Sequence, residues 1–201
     1  MKKIILLVLI VSVNVTYNID FQKNKGIIMN ETSIENVNEW SNELLILTKN
    51  HASYEEYNGD RYIQVIEMGN NSKDKKVIQT LMDCFQYEIS DVIDQYILGT
   101  LSTINYKLYY ETLFELIPKI LKDNNSDVAV LLLCICNGEK FTLEQWNGIE
   151  KLSKKYLNNT IMQKLLKLME RNQYFTLESE DYPYPQFYQL FQKLLKEKSE
   201  E

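Results

Sequence analysis

Histidine is almost missing from this chain of 201 residues, and with it the commonest means of acid–base and metal chemistry. His51 is the single one. No serine or cysteine can be paired with it from the sequence, so a surface or loop histidine is expected rather than a catalytic base. No glycine-rich phosphate loop occurs. The Glu-x-x-His repeat that builds di-metal sites in helical bundles is also absent. Cysteine numbers three, at Cys84, Cys134 and Cys136. An odd count without regular spacing is not a disulfide framework. Cys134 and Cys136 sit two apart in the apolar run from Leu131, about 200° of rotation on a helix, so the two thiols face opposite sides. They are expected as buried small hydrophobes rather than as a metal pair or a disulfide, and the usage fits a reducing, cytoplasmic compartment. Without a catalytic set, no enzyme, no cofactor and no metal is expected.

Charge is present but lopsided. The 22 basic and 28 acidic side chains leave a net charge of −6. Residues 1–28 hold Lys2, Lys3, Lys23 and Lys25 against Asp20, so the remainder is more acidic than the total. This argues against a nucleic-acid surface, which needs a basic patch. It suits a basic partner, or serves solubility alone. Hydrophobic residues make up 45% of the chain, enough for a sizeable core.

Two readings of residues 1–28 stand side by side. Lys2-Lys3 followed by Ile4 to Val13 has the form of a signal peptide: a basic start and an apolar run too short for a standard transmembrane helix. No small-x-small cleavage triplet follows. Alternatively, Lys25-Gly26-Ile27-Ile28 before Met29 reads as the translated form of a purine-rich ribosome-binding site, with Met29 the true start. The expected division is therefore 1–28 as a signal-like or miscalled extension, and 29–201 as one helical domain. Export or membrane tethering follows only if residues 4–13 are a retained anchor.

From Ser33 onward one amphipathic pattern follows another. Thr32 and Glu35 have capping-box spacing ahead of a helix over 33–48, with Ile34, Val37, Trp40, Leu44 and Leu47 inward. Ser53 and Glu56 open a second segment to Met68, which Gly59 weakens. Gly69-Asn70-Asn71-Ser72 is a turn. Helices follow over 73–85, 89–103 and 106–121. The middle one points Ile89, Val92, Ile93, Tyr96, Ile97 and Leu101 inward, and Glu88, Asp91, Asp94 and Gln95 to solvent. Pro118 is expected to kink the third or start a new turn. Residues 128–136 are apolar nearly all round and predict the most buried helix. Thr142 and Gln145 cap a helix to Leu157, with Leu143, Trp146, Ile149 and Tyr156 inward. Helices over 161–171 and 186–198 flank a loop over 173–186. The last buries Phe187, Leu190, Phe191 and Leu194. The architecture expected is all-α, an irregular HEAT-like α-solenoid or an orthogonal bundle of about nine helices. The tetratricopeptide pattern is not present.

Two surfaces are candidates for partner binding. One is the loop, where Glu178, Glu180 and Asp181 precede Tyr182 and Tyr184, each beside a proline; exposed tyrosine next to rigid proline suits an interface. The other is the acidic face with Asp91 and Asp94. Both also fit plain readings, as packing and as a solvated face.

The segment from Val77 to Met169 resembles the immunity protein 30 family. The residues that carry it are Leu113-Phe114-Glu115-Leu116-Ile117-Pro118, the polar turn Asn124 to Ser126, and Ala129 through Leu131-Leu132-Leu133 to Asn137. The family often has a large aromatic before that alanine and an arginine before that asparagine; here they are Val128 and Cys136. The resemblance implies an all-helical protein encoded beside a bacterial polymorphic toxin gene. It implies neutralisation of that cognate toxin by stoichiometric binding, without chemistry. A helical adaptor that binds peptides or another protein is the alternative.

Overall fold

The computed structural model describes residues 34–52, 59–122, 127–133, 135, 141–171 and 184–197. Among these the regular elements are all helical. They are α1 (Val37–Ala52), α2 (Gly59–Glu67), α3 (Lys75–Asp83) with a 3-10 turn (Cys84–Gln86), α4 (Asp91–Ser102) and α5 (Tyr106–Ile120). Then follow α6 (Asp127–Leu133), α7 (Leu143–Tyr156), α8 (Asn159–Arg171) and α9 (Tyr184–Glu197). The fold class is all-α, as the periodicity predicts. The chain divides into two compact units between Ile104 and Asn105.

In the first unit α1 packs on α2 and α3, and α4 packs on α2 and α3. α1 begins later than the Thr32–Glu35 spacing predicts. The cap is Asn36, whose Oδ1 accepts from the amides of Asn38 at 3.1 Å and Glu39 at 3.2 Å. An asparagine at this place satisfies amides that the helix itself leaves open. Thr32 lies outside the described residues, as do Ser53 and Glu56. Gly59 opens α2 rather than interrupting it.

The unit's core is apolar but threaded with hydroxyls. Trp40 is buried, and its indole N–H donates to the Val65 carbonyl at 2.8 Å. The Tyr62 hydroxyl donates to Thr48 Oγ1 at 2.8 Å, and Thr48 donates back to the Leu44 carbonyl at 2.7 Å. Thr80 Oγ1 lies 3.0 Å from Ser41 Oγ, and all of these residues are buried. Each hydroxyl has a partner, which is what makes its burial tolerable. The turn after α2 closes with Asn71 at φ 56°, in the left-handed region that asparagine enters more readily than most residues. Its amide donates to Thr103 Oγ1 at 2.7 Å, fastening the turn to the end of α4.

In the second unit α5 packs on α6 and α7, and α8 packs on α6 and α9. α5 runs through Pro118 to Ile120 instead of restarting there. The proline sits in the last turn and removes only the amide that would bond the Phe114 carbonyl; the Leu121 amide still reaches the Ile117 carbonyl at 2.9 Å. α6 ends at Leu133, short of the predicted 136, although Ala129, Val130, Leu132 and Leu133 are buried as expected. Its end is finished from α5. The Tyr109 hydroxyl donates to the Leu132 carbonyl at 2.6 Å, and the Tyr110 hydroxyl lies 3.2 Å from the Leu133 carbonyl and 3.1 Å from that of Ile135. The last carbonyls of a helix have no partner within it, and these tyrosines supply one. Cys134 and Cys136 lie outside the described residues.

The Thr142–Gln145 capping box forms as predicted and starts α7 at Leu143. Phe187, Leu190, Phe191 and Leu194 are buried as predicted. α9, however, begins at Tyr184, inside the predicted loop. Pro185 falls in its first turn, where a missing amide costs no intrahelical bond. Phe187 lies at ring-centroid distances of 5.5 Å from Tyr110 and 5.1 Å from Trp146, in an aromatic cluster that joins three helices. On the surface, Glu150 of α7 accepts from Lys154 and from Lys193 of α9, each at 2.9 Å. These ammoniums hold the Glu150 carboxyl below its ordinary range.

Candidate functional site

The exposed acidic edge is built at the start of α4. Ser90 is its N-cap, in extended backbone at φ −74° and ψ 154°. Asp91 opens the helix and is exposed, as is Glu88 just before it. Carboxylates in a first turn are stabilised by the amide end of the helix, so a purely structural role for Asp91 is available. Asp94 departs from the expected solvated face: it is half-buried, and so is Gln95. Asp94 lies next to the buried Ile93 and one turn before the buried Ile97 and Leu98, which draws it toward the core side. Val92 departs in the opposite sense. It was expected inward but is 58% exposed, because Ile89, Ile93 and Ile97 already occupy the inward line. The edge therefore presents an apolar side chain directly after the exposed Asp91, which the sequence pattern did not reveal.

The other candidate surface precedes and opens α9. Glu178, Glu180, Asp181 and Tyr182 lie outside the described residues. Tyr184 is placed only by its backbone, at the start of α9. Beside this helix is an open groove of about 410 Å³ lined by Trp146, Gln186, Gln189, Leu190 and Lys193. Leu143, expected inward, is 78% exposed on α7. As the first residue after the cap it lies beyond the line through Ile149, Leu152 and Ser153 that faces the core. Trp146 and Tyr156 are half-buried rather than fully inward.

His51 is not on a loop. It lies in the last turn of α1, is half-buried, and its Nε2 accepts the Ser90 amide at 3.1 Å. Its ring centroid is 6.0 Å from that of Tyr62. Partial burial depresses the imidazole below its ordinary value, in keeping with a ring that serves as an acceptor.

Cys84 is fully buried, and its thiol donates to the Thr80 carbonyl at 3.3 Å. Burial pushes the thiol up to about 12. Because the thiolate is the reactive form, Cys84 should resist alkylation by orders of magnitude relative to a free thiol. Peptide mapping after native iodoacetamide treatment should find it unmodified, and mapping after urea should find it labelled; native labelling would contradict its burial. Among the described residues no group of histidine, cysteine, aspartate and glutamate is placed to hold a metal ion. None of the described helices is long and apolar enough to cross a membrane.

No family model, no curated protein and no solved structure matches the chain.

Proposed function

We propose that this chain is an immunity protein that neutralises a cognate bacterial toxin by direct stoichiometric binding, without catalysis. The observation that carries the reading is the acidic edge at the start of α4, where the exposed Glu88 and Asp91 are followed directly by the exposed Val92. It belongs to the acidic part of the chain. Residues 29–104 hold 13 acidic against 5 basic side chains, whereas residues 105–201 hold 14 against 13. Such a field steers a basic partner, and an apolar side chain among the charges gives it something to bury once it arrives. The resemblance to the immunity protein 30 family, carried by Leu113 to Pro118 and Ala129 to Asn137, supports a toxin as the class of partner. The Glu178, Glu180, Asp181, Tyr182 and Tyr184 stretch remains a second contact region under this reading, because it combines charge with aromatic anchors.

Co-expression with the product of the neighbouring toxin gene should restore growth, and calorimetry should give a one-to-one complex. Reversing Glu88 and Asp91 together to lysine should slow association about tenfold at low salt, with the difference shrinking as salt rises. Asp94 is left intact because its half-buried position would mix binding with folding. The parallel reversal of Glu178, Glu180 and Asp181 tests the second region. Absence of binding and protection by the intact protein would discard the immunity role and leave the adaptor reading.

A further inference from the structure

We infer that His51 is a pH-sensitive latch on the start of α4, and that its protonation releases the edge carrying Asp91 and Val92. The geometry is specific. Ser90 is the N-cap of α4, and its backbone amide points at His51 Nε2 across 3.1 Å, from the last turn of α1. The Ser90 side chain makes no capping bond of its own. The contact with His51 thus holds the residue at which α4 begins. An imidazole nitrogen accepts only while it is unprotonated. When a proton from solvent takes the Nε2 lone pair, two N–H groups face each other and the bond is replaced by repulsion.

The surroundings favour a latch that is closed at neutral pH. From α2 the group facing the imidazole is Tyr62, whose hydroxyl is already engaged with Thr48. Glu88 and Asp91 flank Ser90 in the chain, and both are exposed. On its own helix Lys49, two residues before His51, stands 5.9 Å from the Tyr87 ring centroid. Partial burial penalises the imidazolium and lowers the titration below its ordinary value of 6.5. The sign follows. A group whose folded value is depressed contributes stability that is present above 6.5 and is lost as pH falls through the lower folded value. The latch is therefore closed at neutral pH and opens as pH falls below the ordinary imidazole range. The consequence for docking rests on the function proposed above; the latch itself does not.

Because His51 is the only histidine, its imidazole signals can be assigned without ambiguity. Proton–nitrogen NMR of the full chain, followed as pH is lowered from 7.5, should show the imidazole titrating below its ordinary value of 6.5. The Ser90 amide should shift with the same midpoint. Below it, exchange of that amide, corrected for its intrinsic pH dependence, should rise about tenfold, the equivalent of one lost hydrogen bond. In His51→Gln, whose carboxamide oxygen accepts at all pH values, the Ser90 shift should no longer titrate. A Ser90 amide that stays fixed while the His51 imidazole titrates in the unmodified protein would overturn the latch. Neither measurement needs a partner, so this outcome is independent of whether a toxin is bound.

Discussion

Leu132→Asp should abolish cooperative folding of the second unit. Leu132 has no exposed surface, and α6 around it is buried through Ala129, Val130 and Leu133. A carboxylate placed there either remains ionised without a partner or takes up a proton and stays an unsatisfied polar group. The first costs on the order of several kcal/mol, against roughly 5–15 kcal/mol for a whole domain. The backbone carbonyl of Leu132 also receives the Tyr109 hydroxyl, so a displaced α6 would strand that phenol as well. Helicity and urea titration measured beside Leu132→Met, which keeps the volume at a cost below about 1.5 kcal/mol, separate charge from shape. A soluble Leu132→Asp protein with an unchanged transition midpoint would contradict the packing of α6.

Trp40→Ala should be the largest single truncation in the first unit. It removes a buried aromatic, which costs about 3–5 kcal/mol in a core that cannot collapse fully. It also removes the indole N–H that satisfies the Val65 carbonyl across 2.8 Å, and an orphaned buried carbonyl costs about 1–3 kcal/mol more. Trp40→Phe isolates the second loss, because most of the ring volume remains. The chain's other tryptophan, Trp146, lies in the second unit and reports that unit by fluorescence in the Trp40 variants. If Trp40→Ala and Trp40→Phe were equally stable, the core around α1 would be looser than the structure shows.

The lines of the core are legible wherever a helix carries apolar residues three and four apart through its middle. Phe187, Leu190, Phe191 and Leu194 are the plainest case, and their buried face follows from spacing alone. Residues in the first turn are another matter. Val92 and Leu143 continue the apolar pattern of their helices, yet both are exposed. Periodicity gives an angle around the axis, not whether another helix extends far enough to cover the end. Caps behave unevenly for a similar reason. Thr142 and Gln145 cap reciprocally, but at the head of α1 a single Asn36 does the work, and such residues abound in a chain this rich in asparagine. Of the candidate site, exposure of Asp91 was readable and the half-burial of Asp94 was not. The bond between His51 and Ser90 spans 39 residues, and no local pattern announces a partner at that distance. The same holds for the tyrosine hydroxyls that finish α6.

The hydroxyl pairs in the first unit carry a consequence for alignment. Apolar faces alone let two helices slide past one another, because a leucine is nearly as content against one neighbour as against the next. Tyr62–Thr48 fixes α2 along α1, and Thr80–Ser41 fixes α3 along the same helix. Sliding either helix by one turn, about 5.4 Å, would carry a buried oxygen beyond hydrogen-bonding reach of its partner. Replacing all four side chains by apolar ones of similar shape would leave the burial largely intact, while removing what penalises the shifted packings. These pairs therefore set the register of the three helices more than they set its strength.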